Sequence, residues 1–136
     1  MPKVTYLFEG REVSIDVAPG TNLLDAAQDC GAREGHACGG VCACSTCHVY
    51  VIEGGESLSE PSDREQDILD KAFDVRPSSR LGCQAEVTSR DVRVEISRES
   101  LQAWYDEHPV ERKERDERLR AAGHAIPAPA RDLRRR

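Results

Sequence analysis

Residues 38–48 read Cys38-Gly39-Gly40-Val41-Cys42-Ala43-Cys44-Ser45-Thr46-Cys47-His48, and every other assignment follows from this stretch. Four of the six cysteines crowd into these residues. Cys30 precedes them, and Cys83 follows Cys47 with thirty-five residues between. From Gly35 to Cys47 the chain is almost all Gly, Ala, Ser, Thr and Cys. It has too little apolar bulk for a core of its own, but small side chains let backbone N–H groups approach an enclosed object closely.

Cys38, Cys44 and Cys47 on one loop, with Cys83 brought from a distance, are what an iron–sulfur cage needs. Two ferric ions, two sulfides and four thiolates sum to a charge of about −2, falling to about −3 on reduction. Amide donors at Gly39, Gly40, Ala43, Ser45 and Thr46 would offset part of it. The alternative is a structural zinc site, but zinc sites pair two short Cys-x-x-Cys knuckles and only Cys44–Cys47 forms one. A disulfide scaffold would suit an exported chain. Met1–Phe8 instead goes straight into a strand pattern, without the features of a signal or transit peptide.

Working outward, residues 3–8 and 11–17 read as a hairpin around Glu9-Gly10. Thr21 or Asn22 can cap a helix through Leu23, Leu24, Ala26 and Ala27 that stops at Gly31. His48–Ile52 is a strand. Ser62 or Asp63 can cap a second helix of about ten residues. Ile68, Leu69, Ala72 and Phe73 lie on one of its faces, and Asp63, Asp67, Asp70 and Asp74 on another. Arg80-Leu81-Gly82-Cys83-Gln84 is a tight approach, followed by strand candidates at Ala85–Thr88 and Val92–Ser97. The pattern predicts an α+β domain with a mixed sheet. Trp104, Tyr105 and Val110 could clamp its end. Residues 111–122 lack an apolar stripe and read as a solvated helix, and the stretch from Gly123 reads as disordered.

The chain of 136 residues fits one domain with a tail. It is 38% hydrophobic and 32% charged, with a mean hydropathy of −0.60, and no apolar run approaches membrane-spanning length. The net charge of −6 hides an asymmetry: residues 1–110 carry −10 and residues 111–136 carry +4. An acidic body repels nucleic acid and suits a basic protein partner.

The spacing of Cys38, Cys44 and Cys47, the Arg80–Gln84 segment and the acidic helix between them resemble the adrenodoxin-like (vertebrate-type) 2Fe–2S ferredoxins over roughly residues 3–105. The plant type has a shorter first gap. The resemblance implies a β-grasp fold with one main helix and a cluster-binding loop, in a domain spanning 1–105, with 106–136 as a charged tail. It implies one 2Fe–2S cluster held by Cys38, Cys44, Cys47 and Cys83. His48 would link the cluster region to the core without binding iron. Asp63, Glu65, Asp67 and Asp70 would dock basic residues of a flavoprotein reductase and of an electron acceptor. His36-Ala37-Cys38 and the additional Cys42 look like the bacterial ferredoxins of iron–sulfur cluster assembly. The implied activity is one-electron shuttling by a cytoplasmic bacterial monomer that is not itself an enzyme, with no nucleic-acid or membrane partner. The acceptor is cluster-assembly machinery or, alternatively, a haem-thiolate monooxygenase. Cys42 is either an assembly-active thiol or a small buried residue; Cys30 reads as core.

Overall fold

A computed structural model describes residues 1–36 and 45–133. Cys38, Cys42 and Cys44, with Gly39, Gly40 and Ala43, lie outside the described residues.

Five strands make one mixed sheet: β1 (Lys3–Phe8), β2 (Arg11–Asp16), β3 (His48–Glu53), β4 (Ser79–Leu81) and β5 (Val92–Ile96). Their spatial order is β2-β1-β5-β3-β4. β1 pairs antiparallel with β2 through the Glu9-Gly10 turn and parallel with β5, setting Val4 opposite Val92 and Tyr6 opposite Val94. β3 runs antiparallel to both β5 and β4. The β1–β5 pairing is what lets the chain travel through the whole cysteine region before closing its sheet, since parallel neighbours need a long crossover.

Helix α1 (Leu23–Cys30) lies across the sheet. Asn22 caps it, its side chain accepting from Asp25 N at 2.8 Å, and Gly31 ends it at a φ of 77°. Leu23, Ala26 and Ala27 are buried in the main core with Val4, Tyr6, Val49, Val92, Val94 and Ile96. Tyr6 fastens the helix by donating its hydroxyl to Leu23 O. The adrenodoxin-like β-grasp arrangement is therefore the observed one.

Between β1 and β5, two elements depart from expectation. Ala85–Thr88 forms no strand of the sheet. Its backbone instead bonds the chain ahead of α1, with Leu23 N donating to Ala85 O, Gly20 N to Val87 O and Val87 N to Thr21 O. Alternating burial looks the same whether an extended segment pairs with a sheet or with a loop. The expected ten-residue second helix is shorter: α2 spans Asp63–Leu69, with Ser62 as its cap. Ala72 and Phe73 follow it, and Asp74 turns left-handed at a φ of 56°.

Three further helices close the described chain: α3 (Arg98–Glu107), α4 (Pro109–Ala121) and α5 (Ala130–Leu133). Tyr105 is fully buried, whereas Val110 is 67% exposed and clamps nothing. α4 and α5 pack on α3. Arg115 is buried over the Tyr105 ring at 4.2 Å and donates to Gln102 Oε1 at 2.8 Å. Ala130, also buried, donates its N–H to Asp106 Oδ2 at 2.9 Å. The contact uses a stacked guanidinium and backbone bonds, which a search for apolar stripes does not register. Among the described residues no helix is long and apolar enough to cross a membrane.

Candidate metal centre

Cys47 and Cys83, the last ligand predicted on the loop and the remote one, meet in a small core with Leu24, Leu69 and Leu81. They are 1% and 7% exposed. The backbone brings them together: Gly82 N donates to Cys47 O at 2.9 Å, and Leu24 N to Gly82 O at 3.0 Å. The tight approach read at Arg80–Gln84 is thus a short strand, β4, running into a turn pinned to β3's leading edge and to α1. The two thiols share a hydrogen bond. That bond first, and burial second, hold the Cys47 thiol well above the ordinary range. Two buried thiols side by side are a donor set that loses its protons when iron binds. The pair fits an iron–sulfur cluster.

Gln84 was quoted only as part of a motif, yet its Nε2 donates to Cys83 Sγ at 3.6 Å. Such donors to ligand sulfur tune a cluster's potential. Ser45 does not point its hydroxyl at sulfur: Oγ donates to Glu99 Oε2 at 2.8 Å.

His48 sits at the centre of a second buried group. Its Nε2 lies 2.7 Å from Ser79 Oγ, and its Nδ1 lies 3.8 Å from Glu99 Oε1. Glu99 Oε1 also accepts from Phe73 N at 3.1 Å, and Ser79 Oγ from Arg76 N at 2.8 Å. This group joins the segment bearing Cys47, the chain after α2, β4 and α3. Glu99 was not singled out in the sequence, because a glutamate in a charged stretch reads as solvated.

The acidic residues of α2 divide. Asp63, Asp67 and Asp70 are exposed. Glu65 turns inward: it is 1% exposed, takes Arg80 Nε at 2.7 Å and Nη2 at 3.1 Å, and accepts Leu81 N at 3.0 Å. Its carboxylate secures β4 two residues ahead of Cys83 and is not presented to solvent, which corrects the docking role expected of it.

Glu34 is the other unexpected group. It is 1% exposed, and neither carboxylate oxygen has a hydrogen-bond partner among the described residues. Burial first, and the neighbouring Cys83 second, push its carboxyl well above the usual range. Cys30, half-buried at the end of α1, packs against the main core, and its thiol is raised by burial. His36 is held to α3, its N–H donating to Glu107 Oε2 at 3.2 Å.

The 2Fe–2S iron–sulfur cluster binding domain model matches residues 7–88. A 2Fe–2S ferredoxin of Haemophilus influenzae is 48% identical over 105 residues, 74% of this chain and 93% of the relative. The chain belongs to the 2Fe–2S ferredoxins. Among solved structures, the ISC-like 2Fe–2S ferredoxin of Pseudomonas putida superposes on this ferredoxin with a TM-score of 0.68 at 45% identity, covering 74% of this chain and 96% of that one. Putidaredoxin in its covalent complex with putidaredoxin reductase superposes at 0.60 with 32% identity, covering 69% and 96%. As a ferredoxin the protein carries electrons on one 2Fe–2S cluster, which disposes of the zinc reading.

Proposed function

We propose that this ferredoxin takes single electrons from a flavoprotein reductase and delivers them to the machinery of iron–sulfur cluster biogenesis, in a bacterial cytoplasm and as a monomer. It is a carrier and not an enzyme in itself. The cluster is held by Cys38, Cys44, Cys47 and Cys83, within a cluster domain of residues 1–105 to which residues 106–136 are accessory. The carrying observation is the meeting, as buried thiols, of Cys47 from the cysteine loop and Cys83 from far downstream in the chain. The reductase is supported by the likeness to putidaredoxin held in complex with its own reductase. The acceptor is supported by the likeness to an ISC-like ferredoxin and by the His36-Ala37-Cys38 and Cys42 pattern.

Cys83→Ser is expected to lose most of the iron and the visible absorption of the purified protein, and Cys42→Ser to keep both. The opposite ranking overturns the ligand assignment. For the acceptor, cluster build-up on a scaffold protein is followed with this ferredoxin as the only reductant; no dependence on the reduced ferredoxin removes the biogenesis role.

Asp63, Asp67 and Asp70 are the exposed charges on which a basic partner would dock. Changing Asp67 and Asp70 to Asn is expected to slow reduction by the reductase, most at low salt, while the spectrum stays unchanged. Equal rates for wild type and variant at low and high salt would remove the docking role.

A further inference from the structure

Away from the cysteines, a cleft of about 340 Å³ is lined by Glu9, Arg11, Arg33 and Arg118. Three separate parts of the chain supply it: the β1–β2 turn, the segment leading into the cysteine loop, and the last turn of α4. Three guanidiniums, two from the body that carries −10 over residues 1–110 and one from the +4 tail, line the cleft with one carboxylate, a surplus of two positive charges.

Two of the lining side chains are fixed in advance. Arg33 lies over the rings of Trp104 at 4.7 Å and Tyr105 at 5.4 Å, and its Nη1 reaches Tyr105 Oη at 2.5 Å and Glu9 Oε1 at 3.2 Å. Tyr105 donates its hydroxyl to Glu9 Oε2 at 2.7 Å. Glu9 is held at a φ of 50° beside Gly10 at 71°, so a non-glycine residue adopts the left-handed conformation that a two-residue hairpin turn demands. Arg11 reaches Glu9 Oε1 at 3.4 Å from a half-exposed position. Arg118 is different: among the described residues no carboxylate lies within ion-pair distance of it. One carboxylate therefore organises two arginines, and the third cation, contributed by the tail, is left uncompensated.

We infer that this cleft binds a phosphate dianion, free or as a monoester. Planar guanidinium forks match phosphate oxygens, and two surplus charges match a dianion. The cleft leaves room for the group to which a phosphate is esterified. The site does not depend on which residues hold the cluster, and it is separate from the acidic α2 face. It is joined to the cysteine loop through Arg33, five positions ahead of Cys38.

The test is calorimetric titration of the cluster-loaded full chain with inorganic phosphate and with adenosine monophosphate, at constant ionic strength. Fluorescence of Trp104, the only tryptophan, is followed in parallel because Arg33 covers its ring. Saturable binding is expected. Arg118→Gln should weaken it roughly tenfold, as loss of one charge contact typically does. Glu9→Gln should tighten it, and Arg120→Gln, on the exposed side of α4 and outside the cleft, should leave it unchanged. Tighter binding of the nucleotide marks an ester site, and equal binding marks a site for the bare anion; both support the inference. Absence of saturation, or equal weakening by Arg120→Gln and Arg118→Gln, overturns it.

Discussion

Gly35 is a tight point between the segment leading to Cys38 and α3, and Gly35→Ala tests whether that closeness matters. A Cβ placed there would lie 2.6 Å from Ala103 Cβ, 2.8 Å from Ser100 O and 2.9 Å from Thr46 O. Two of the three atoms are backbone carbonyl oxygens, one in α3 and one next to Cys47, so no rotamer change relieves the clash. Either α3 moves off the sheet, or the Thr46–Cys47 segment moves and carries a thiol with it. The N–H of Gly35 also donates to Ser100 Oγ at 2.9 Å, and separating the two segments breaks that bond. Overpacking of a tight interior costs about 1–3 kcal/mol, and rigid atoms on both sides place this case near the upper end. For a domain of this size that lowers the thermal midpoint by about 10 °C. Gly55→Ala is the control, because its nearest neighbour is a side-chain methyl, Val51 Cγ1, at 3.3 Å. The assay is thermal unfolding of the cluster-loaded protein, with the ratio of visible to ultraviolet absorbance as a measure of cluster content. A Gly35→Ala protein within 2 °C of wild type and with full cluster content would refute the reasoning.

Three more outcomes follow from buried polar groups. Glu34 has its native pKa raised, so between its unfolded value, about 4.3, and its native one the folded state holds a proton that the unfolded state has lost, and stability falls as pH rises. Glu34→Gln should remove that slope, and parallel stability curves for wild type and variant from pH 5.5 to 8.5 would exclude it. Ser79→Ala strands His48 Nε2 and Arg76 N, an expected loss of about 1–3 kcal/mol in denaturant unfolding; an unchanged midpoint would mean that neither group needs the hydroxyl. Arg80→Met leaves the buried Glu65 charge with only the Leu81 N–H among the described residues, an expected loss of about 3–5 kcal/mol, most of which Glu65→Leu in the same chain should restore. A double variant as unstable as Arg80→Met would show that packing, not charge, is the cause.

The sequence carried most of what local rules govern. The hairpin at Glu9-Gly10, the Asn22 cap, the Gly31 stop and the strand from His48 each rest on a few adjacent residues and recur in the structure. The parallel pairing of β1 with β5 was beyond reach, because nothing in residues 3–8 names residues 92–96 as neighbours. β4 was missed as a strand because three residues are too few to show alternation. The larger failures concern charge. Glu65, Glu99 and Arg115 sit in stretches whose composition reads as solvated, yet each is buried against a specific partner. Burial of a charged side chain depends on a complementary group far along the chain, and only the fold supplies it.

Those buried carboxylates also bear on how docking and cluster relate. Glu65 ties the first turn of α2 to Arg80 and Leu81, just ahead of Cys83. Glu99 ties the chain just after α2, at Phe73 N, to Ser45, two residues ahead of Cys47. The acidic helix is therefore anchored at both ends to the two segments that deliver the described thiols, and the proposed docking aspartates occupy the exposed face between the anchors. A partner bound to Asp67 and Asp70 would rest on a surface rigidly connected to the cluster-bearing segments, so its redox group would sit at a fixed distance from them. Removing either anchor should loosen that geometry, and an Arg80→Met protein that retains its cluster should then transfer electrons more slowly even with every docking charge in place.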